Sequence, residues 1–491
     1  MKKLTVKYGL QLIDTFKQKA RKSIERRKYN DAITYVKAAA WVKYEFYIGF
    51  VDDELEFFLR QISHYIPHRK LNYNKQGGIV LIDAFSKDTQ GLSAQYIDAV
   101  ISTGKRLLYI YENNFTDSSS LYKTLKSYSP AVLAKVPNNH NEFEKAIWIY
   151  NQIMDFGATN ILMHLSPDSA SECTALYALP PNINRYQIDL TDHAFWIGIG
   201  CSDYTIEFQQ IGCSLSQKER GFQSKQILLL PFYPIINNIP FEGFPLLKDK
   251  AVIIFSGGTY YKVIDTEDTF FKLSQKILDS NHNAVILFAT KDPQGVVRRK
   301  VDQYNLTGRF IVLPFRKDIA AIFQHIDIYL ETYPVGGGLM CQYAANFSIP
   351  ILNYKNESSE DSVGQKHKVS FTSKTEDSFI KESIRLCNDP IYRKEKGLVL
   401  KNAVISPEEF NLGFKEIIEK KITPFKSNYT SAGYSLDQNA KIQSLNSSSY
   451  FKIRILRTLG FFKSITCIPL ILFQEAPYIL RNKLKAYCFH K

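Results

Sequence analysis

The stretch IDIYLETYPVGGGLMCQYAANFSIPILNY, Ile326 to Tyr354, decides the fold. An apolar run ends at Glu331, the turn Tyr333–Val335 leads into Gly336, Gly337 and Gly338, a small-residue segment runs to Ser348, and a second apolar run closes at Tyr354. This order predicts strand, loop, helix, strand. Glycine inside a regular element costs roughly 0.5–1 kcal/mol against alanine, so three in a row imply a backbone that something must approach closely. A glycine loop that opens a helix leaves N–H groups at the positive end of the helix dipole, an arrangement suited to a diphosphate. It is not a P-loop, since no Gly-Lys-Ser/Thr follows. Nor is it the dinucleotide fingerprint, which belongs after the first strand of its domain.

Working outward, AVIIFSGG (251–258), DTFFKLSQKILDS, NAVILFAT, QGVVRRKVDQYN, RFIVLPF and DIAAIFQHI alternate strand with helix up to the glycine loop. Five parallel strands between residues 251 and 354 make one nucleotide-binding type of domain. An earlier series begins at GGIVLIDAF (77–85) and continues through KRLLYIYEN, ATNILMHL, NRYQIDL, CSDYTIEF and KQILLLPFYP to Ile239. The expected class is α/β: two tandem Rossmann-like domains facing across a cleft, with an N-terminal helical segment and a C-terminal helical tail. The expected boundaries are a helical cap at 1–67, an N-terminal domain at 70–239, a C-terminal domain at 250–355, a helical extension at 356–425, a linker at 426–449 and a basic amphipathic tail at 450–491. Within the cap, RRKYNDAITYVKAA resembles one tetratricopeptide unit, and a single unit cannot build a solenoid.

The chain has 491 residues, 45% apolar and 22% charged, which are globular values and enough for two cores. Its seven cysteines are scattered without a C-x-x-C pair, which suits neither a disulfide framework nor a thiolate metal site. Residues 1–30 carry charge throughout and have no apolar segment of signal-peptide type, so a cytoplasmic location is expected. The net charge of +14 is concentrated at the ends: residues 1–30 and 441–491 contribute +8 each, leaving −2 for the rest. A nucleic-acid groove would place that charge along the folded body, so no nucleic-acid partner is expected. Polarised basic ends fit an anionic membrane surface better, on the inner face of the cell membrane. The terminal piece YFKIRILRTLGFFKSITCIPLILFQEAPYILRNKLKAY is apolar and basic together, and Lys463 and Pro469 interrupt it before the roughly 20 apolar residues a spanning helix needs. An interfacial anchor and a helix packed on the N-terminal domain both remain open.

Together, the tandem α/β domains, the late glycine loop and FSGGTYYK…LPFRKDIAAIFQHIDIYLETYPVGGG resemble glycosyltransferases of the GT-B architecture, in particular the O-GlcNAc transferase-like catalytic region and related bacterial polysaccharide enzymes. The resemblance covers roughly residues 70–354 and implies that the C-terminal domain binds a nucleotide sugar, UDP-linked, and the N-terminal domain a glycan or lipid-linked acceptor. It further implies that Gly336, Gly337 and Gly338 hold the donor diphosphate through their amides. Lys262 and Tyr261, after Gly257 and Gly258 in the first βα turn, face that diphosphate, and Lys291 is a weaker candidate beside it. Glu331 is placed to reach the ribose or the sugar, and Arg316 the base.

No Asp-x-Asp motif and no metal-spaced His/Cys/Asp cluster occurs, so neither a metal nor another cofactor is expected. Retaining members carry a second Glu eight residues after the first; here that position is Leu339, which favours inversion. An inverting transfer needs a base for the acceptor hydroxyl. His193, in the loop after YQIDL, is the first choice, with Asp192 as partner or alternative and His164 as runner-up. Gly91 and Ser93 follow the first strand, where acceptor contacts are expected. Two alternatives stay open: a protein acceptor, and a nucleotide-sugar-binding or scaffold protein without catalysis.

Overall fold

The computed structural model describes residues 4–69, 77–85, 91–112, 119–236, 238–245, 251–292, 295–426, 445–446, 449–475 and 477. Two sheets organise them. The first comprises β1 (Gly78–Asp83), β2 (Leu107–Tyr111), β3 (Ala131–Lys135), β4 (Ala158–His164), β5 (Asn184–Ile188), β6 (Tyr204–Glu207) and β7 (Ile227–Leu229), in spatial order β3-β2-β1-β4-β5-β6-β7. The second comprises β8 (Val252–Gly257), β9 (Ala284–Ala289), β10 (Phe310–Leu313), β11 (Ile328–Leu330), β12 (Ile351–Tyr354) and β13 (Thr372–Ser373), in order β10-β9-β8-β11-β12-β13. Strands pair in parallel in both sheets. In each, the order reverses between the first and fourth strands, β1/β4 and β8/β11, and such reversals open a crevice at the carboxyl ends where ligands bind.

Two strands escaped the sequence reading for the same reason. β3 is an edge strand with only Ala134 buried, and β13 is two residues long, so neither shows an apolar run. The central strands do: β1 and β9 are buried at every position. In the second sheet alternate residues feed opposite cores, Ile254, Ile286 and Phe288 on one face and Phe255, Val285 and Leu287 on the other.

The chain forms two compact units, one from residues 1–207, 215–228 and 441–491, the other from 208–214 and 229–440. In the first, helices Val6–Glu25 and Tyr29–Phe46 form a hairpin. Thr5 caps the former by accepting the Tyr8 N–H at 3.2 Å, and its stripe Leu12, Ile13, Phe16 and Ala20 packs inward. Helix Tyr29–Phe46 is buried on nearly every side because helices Asp53–Ser63, Glu142–Phe156, Ala170–Tyr177 and Ser449–Cys467 surround it.

The C-terminal segment, for which an interfacial anchor and packing on the N-terminal domain were both open, has its described part inside this unit. Phe451, Ile455, Leu459, Ile468 and Ile471 are buried in the same core as Val36 and Phe46. Arg454 donates to Asp168 at 2.5 Å and lies over the Trp41 ring, and Lys452 pairs with Glu475 at 3.3 Å. No single described helix is long and apolar enough to cross a membrane; the helix breaks at Gly460 (φ 69°), and residues 469–475 turn away by 117°.

Candidate functional site

In the second unit the two segments flanking the β8/β11 crevice converge. After β8, Gly257 and Gly258 lead into the turn Tyr260–Val263; after β11, the chain passes a cis Tyr333–Pro334 bond into the glycine triplet, and helix Gly338–Asn346 begins. Lys262 joins them: its ammonium donates to the Gly336 carbonyl at 2.9 Å, and its own carbonyl accepts the Val335 N–H at 3.3 Å. Gly258 is closely approached by the Lys262 stem, since a Cβ there would lie 3.2 Å from Lys262 Cδ. Tyr261 is half-buried in the same turn.

The three glycines have different reasons. A Cβ on Gly336 would meet Glu331 Oε1 at 2.8 Å and collide with the Asn356 amide; one on Gly338 would sit 3.0 Å from Ser362 Cβ. At Gly337 the nearest atom would be Lys262 Nζ at 3.5 Å, an ordinary contact. The outer two are therefore glycine for packing, and the middle one alone has room in front of it. The triplet lies at the positive end of helix Gly338–Asn346, where the Met340 N–H is already bonded to the Gly337 carbonyl at 2.7 Å.

Glu331 does not reach outward. It is 3% exposed and accepts from the Gly337 N–H, from Cys341 Sγ at 2.8 Å and from Ser359 Oγ at 3.2 Å. Burial and this carboxylate push the Cys341 thiol well above its ordinary range. The residue expected at the ribose thus caps the helix N-terminus from inside in this conformation. Arg316, expected at the base, is also committed inward: it holds Asp318 with two nitrogens at 2.7 and 2.5 Å, donates to the Gly243 carbonyl at 2.7 Å and lies between Phe241 and Phe244. A guanidinium so saturated clamps the 241–244 segment. Lys291 is exposed with its ammonium over the Phe315 ring at 4.4 Å, and its described contacts do not join those of Lys262. The sequence reading missed Ser359 and Ser362, which helix Ser358–Val363 brings against Glu331 and Gly338; NESSEDS reads only as a polar stretch.

In the first unit two histidines each meet a carboxylate. His193 Nδ1 lies 3.3 Å from Asp192 Oδ1, with the histidine side chain 31% exposed and the aspartate buried. Its loop is fixed at both ends. Arg220 donates to the carbonyls of Asp192 and Ala194 at 2.6 and 2.9 Å, and Glu56 accepts the N–H groups of Gly198 and Ile199 at 2.7 and 3.1 Å. Gly198 (φ 115°) admits no side chain, since Cys173 Sγ would lie 2.6 Å from its Cβ.

The second pair sits at the β1/β4 reversal. Asp83 and His164 end those neighbouring strands in register, with His164 Nδ1 3.0 Å from Asp83 Oδ1 and 3.3 Å from Ser93 Oγ. Tyr109 donates to the other Asp83 oxygen at 2.7 Å, and the buried His164 Nε2 has no hydrogen-bond partner among the described residues. Asp83 had passed unnoticed because in sequence it is one acid at the end of an apolar run. Gly91 opens helix Gly91–Ser102, which delivers Ser93; residues 86–90 of the expected acceptor loop lie outside the described set. Asp203 is held by Arg185 at 2.8 Å. Among the described residues no three His, Cys, Asp or Glu side chains gather as a metal site.

No protein-family model and no curated protein sequence matches the chain. Among solved structures it is similar to a mutant O-GlcNAc transferase of Thermobaculum terrenum, with a TM-score of 0.54 and 14% identity over 89% of this chain and 83% of that one. It is similar to HepE of Anabaena in complex with UDP and glucose, at 0.53 and 10% over 70% of this chain and 99% of that one. A glycosyltransferase of Rickettsia africae gives 0.51 and 11% over 71% and 100%. Identities this low speak of fold, and the fold is the two-domain GT-B architecture of glycosyltransferases. The α/β class and the GT-B resemblance expected from the sequence hold.

Proposed function

We propose that the chain is an inverting, metal-independent glycosyltransferase that moves a sugar from a nucleotide-diphosphate donor to a bacterial surface-polysaccharide or lipid-linked glycan. The observation that carries this reading is the meeting of Lys262 with the glycine loop across the β8/β11 reversal, which brings a cation beside the positive end of a helix. A diphosphate leaving group develops negative charge as its bond to the anomeric carbon breaks, and fixed donors aimed there stabilise it without reorganising. Similar structures contain UDP with glucose in HepE, and UDP with alpha-GlcNAc-glycerol in a TarM of S. aureus, which favours a uridine donor.

In the reaction the acceptor oxygen bonds the anomeric carbon on the face opposite the diphosphate, the diphosphate departs with the bonding pair, and a base takes the acceptor proton. His193 is assigned that role, oriented by Asp192, because its imidazole is accessible on a clamped loop. His164 is the second assignment, favoured by its place at the β1/β4 reversal, where its Nε2 has no hydrogen-bond partner among the described residues.

Thermal unfolding with UDP, GDP, CDP and ADP tests the donor site. A ligand at a hundred times its dissociation constant adds about 2.7 kcal/mol, an upward shift of several degrees. Gly337→Val and Lys262→Met should remove that shift and keep the ligand-free melting temperature. If no nucleotide moves the wild type, or the variants respond as it does, the donor site is elsewhere. Release of free UDP from UDP-sugars then separates a transferase from a binder.

A further inference from the structure

The segment around Gly460 presents apolar side chains outward. Phe461 is 65% exposed, Phe462 83% and Ile465 45%, while Leu459, Cys467 and Ile468 beside them are buried. Phe461 and Ile465 are one helical turn apart, and the two phenylalanine rings meet edge-on at 5.7 Å. Past the bend, Phe473 is 76% exposed. Single exposed apolar residues are ordinary, but adjoining aromatics on one tip mark an interaction surface.

Charge identifies what it meets. Lys463 pairs with Asp31 at 2.8 Å, which sets the tip against the start of helix Tyr29–Phe46. The residues leading into that helix are Arg26, Arg27 and Lys28, all exposed, between Glu25 and the Asp31 that Lys463 holds. Exposed Arg457 precedes the tip by one turn. Beyond residue 477 the sequence adds Arg481, Lys483, Lys485 and Lys491 and no acid. Among the described residues Arg26, Arg27, Lys28 and Arg457 belong to one unit, and Asn446 Oδ1 accepts the Leu4 N–H at 2.8 Å between its N-terminal and C-terminal parts.

We infer that this corner docks on an anionic lipid surface, with Phe461, Phe462 and Ile465 entering the boundary between headgroups and acyl chains and Arg26, Arg27, Lys28 and Arg457 meeting the lipid phosphates. The docking is interfacial: the helix's opposite side is committed to the core through Phe451, Ile455 and Leu459, which a spanning helix would have to surrender. The proposal stands apart from the sugar-transfer reading, because it uses none of the donor or base residues.

The test is co-sedimentation of the full chain with phosphatidylcholine vesicles with and without phosphatidylglycerol, at low and high salt. Binding to the anionic vesicles that falls with salt is expected. The double variant Phe461→Ser, Phe462→Ser should weaken it at least tenfold. The triple variant Arg26→Gln, Arg27→Gln, Lys28→Gln should weaken it about a hundredfold, each basic residue near the surface contributing about fivefold. All altered side chains are exposed, so melting temperatures and any UDP response should match the wild type. Absence of binding to anionic vesicles, or binding that both variants retain, overturns the proposal. So does a wild type that self-associates in light scattering through Phe461 and Phe462 while ignoring vesicles, since the face would then meet a second copy of the chain.

Discussion

His193 and His164 each hold a carboxylate, yet they differ in access: one is 31% exposed and the other 1%. His193→Gln should lower kcat for transfer at least a hundredfold with unchanged UDP binding, the usual range for a lost general base. His164→Gln should leave kcat within about tenfold; if the two outcomes are exchanged, the base is His164. The glycine triplet carries its own prediction. Gly336→Ala overpacks against Asn356 and should destabilise by about 1–3 kcal/mol in urea unfolding, whereas Gly337→Ala should cost under about 1 kcal/mol. At this scale the sequence revealed that the glycine triplet leads from a strand into a helix N-terminus, found in the structure as Ile328–Leu330 and Gly338–Asn346. It did not reveal the division of labour among the three glycines, which depends on Asn356 and Ser362 arriving from a later segment. Charged residues were legible by position alone. Arg316 and Glu331 stand at strand ends as expected, but their partners, Asp318 and the Gly337 amide, turn them inward.

Short elements carry much of the site's positioning. Helix Ser358–Val363 holds Ser359 and Ser362 on the glycine loop and also carries Asp361, whose pKa burial, with the charges of Glu360 and Glu357, pushes up to about 6 from 3.8. The sign follows directly. Between these values the folded chain binds a proton that the unfolded chain releases, so stability falls as pH rises from about 4 to 6 and stays reduced above. Asp361→Asn should abolish that fall, raising stability above pH 6 by up to about 3 kcal/mol in chemical unfolding and leaving it unchanged near pH 4. The loop carrying His193 depends on Arg220, buried against Asp189 at 3.6 Å. Arg220→Met leaves that carboxylate unpaired and should cost about 3–5 kcal/mol. Central strands and the helical hairpin were legible because their burial is periodic or complete. β3 and β13 were not, because edge and two-residue strands have no such signature.

For the whole molecule, the alternation of strands and helices announced two parallel sheets, since nothing else accounts for so many short apolar runs separated by amphipathic ones. For the C-terminal segment, packing on the N-terminal domain was one of two readings the sequence left open. An amphipathic stretch shows that it has an apolar face, and the partner of that face, helix Tyr29–Phe46, lies some 400 residues earlier. Deleting residues 449–491 should therefore lower the melting temperature of the first unit and expose dye-binding apolar surface, while the nucleotide response of the second unit persists. This arrangement also bears on how the polypeptide is made. The first unit is completed by residues 441–491, after the whole of 229–440 has left the ribosome. At about 5–20 residues per second, that interval lasts roughly 10–40 s. Throughout it Phe46 lacks the ring of Phe451 that later packs edge-on at 5.5 Å, so one side of helix Tyr29–Phe46 stays uncovered until the last stretch emerges.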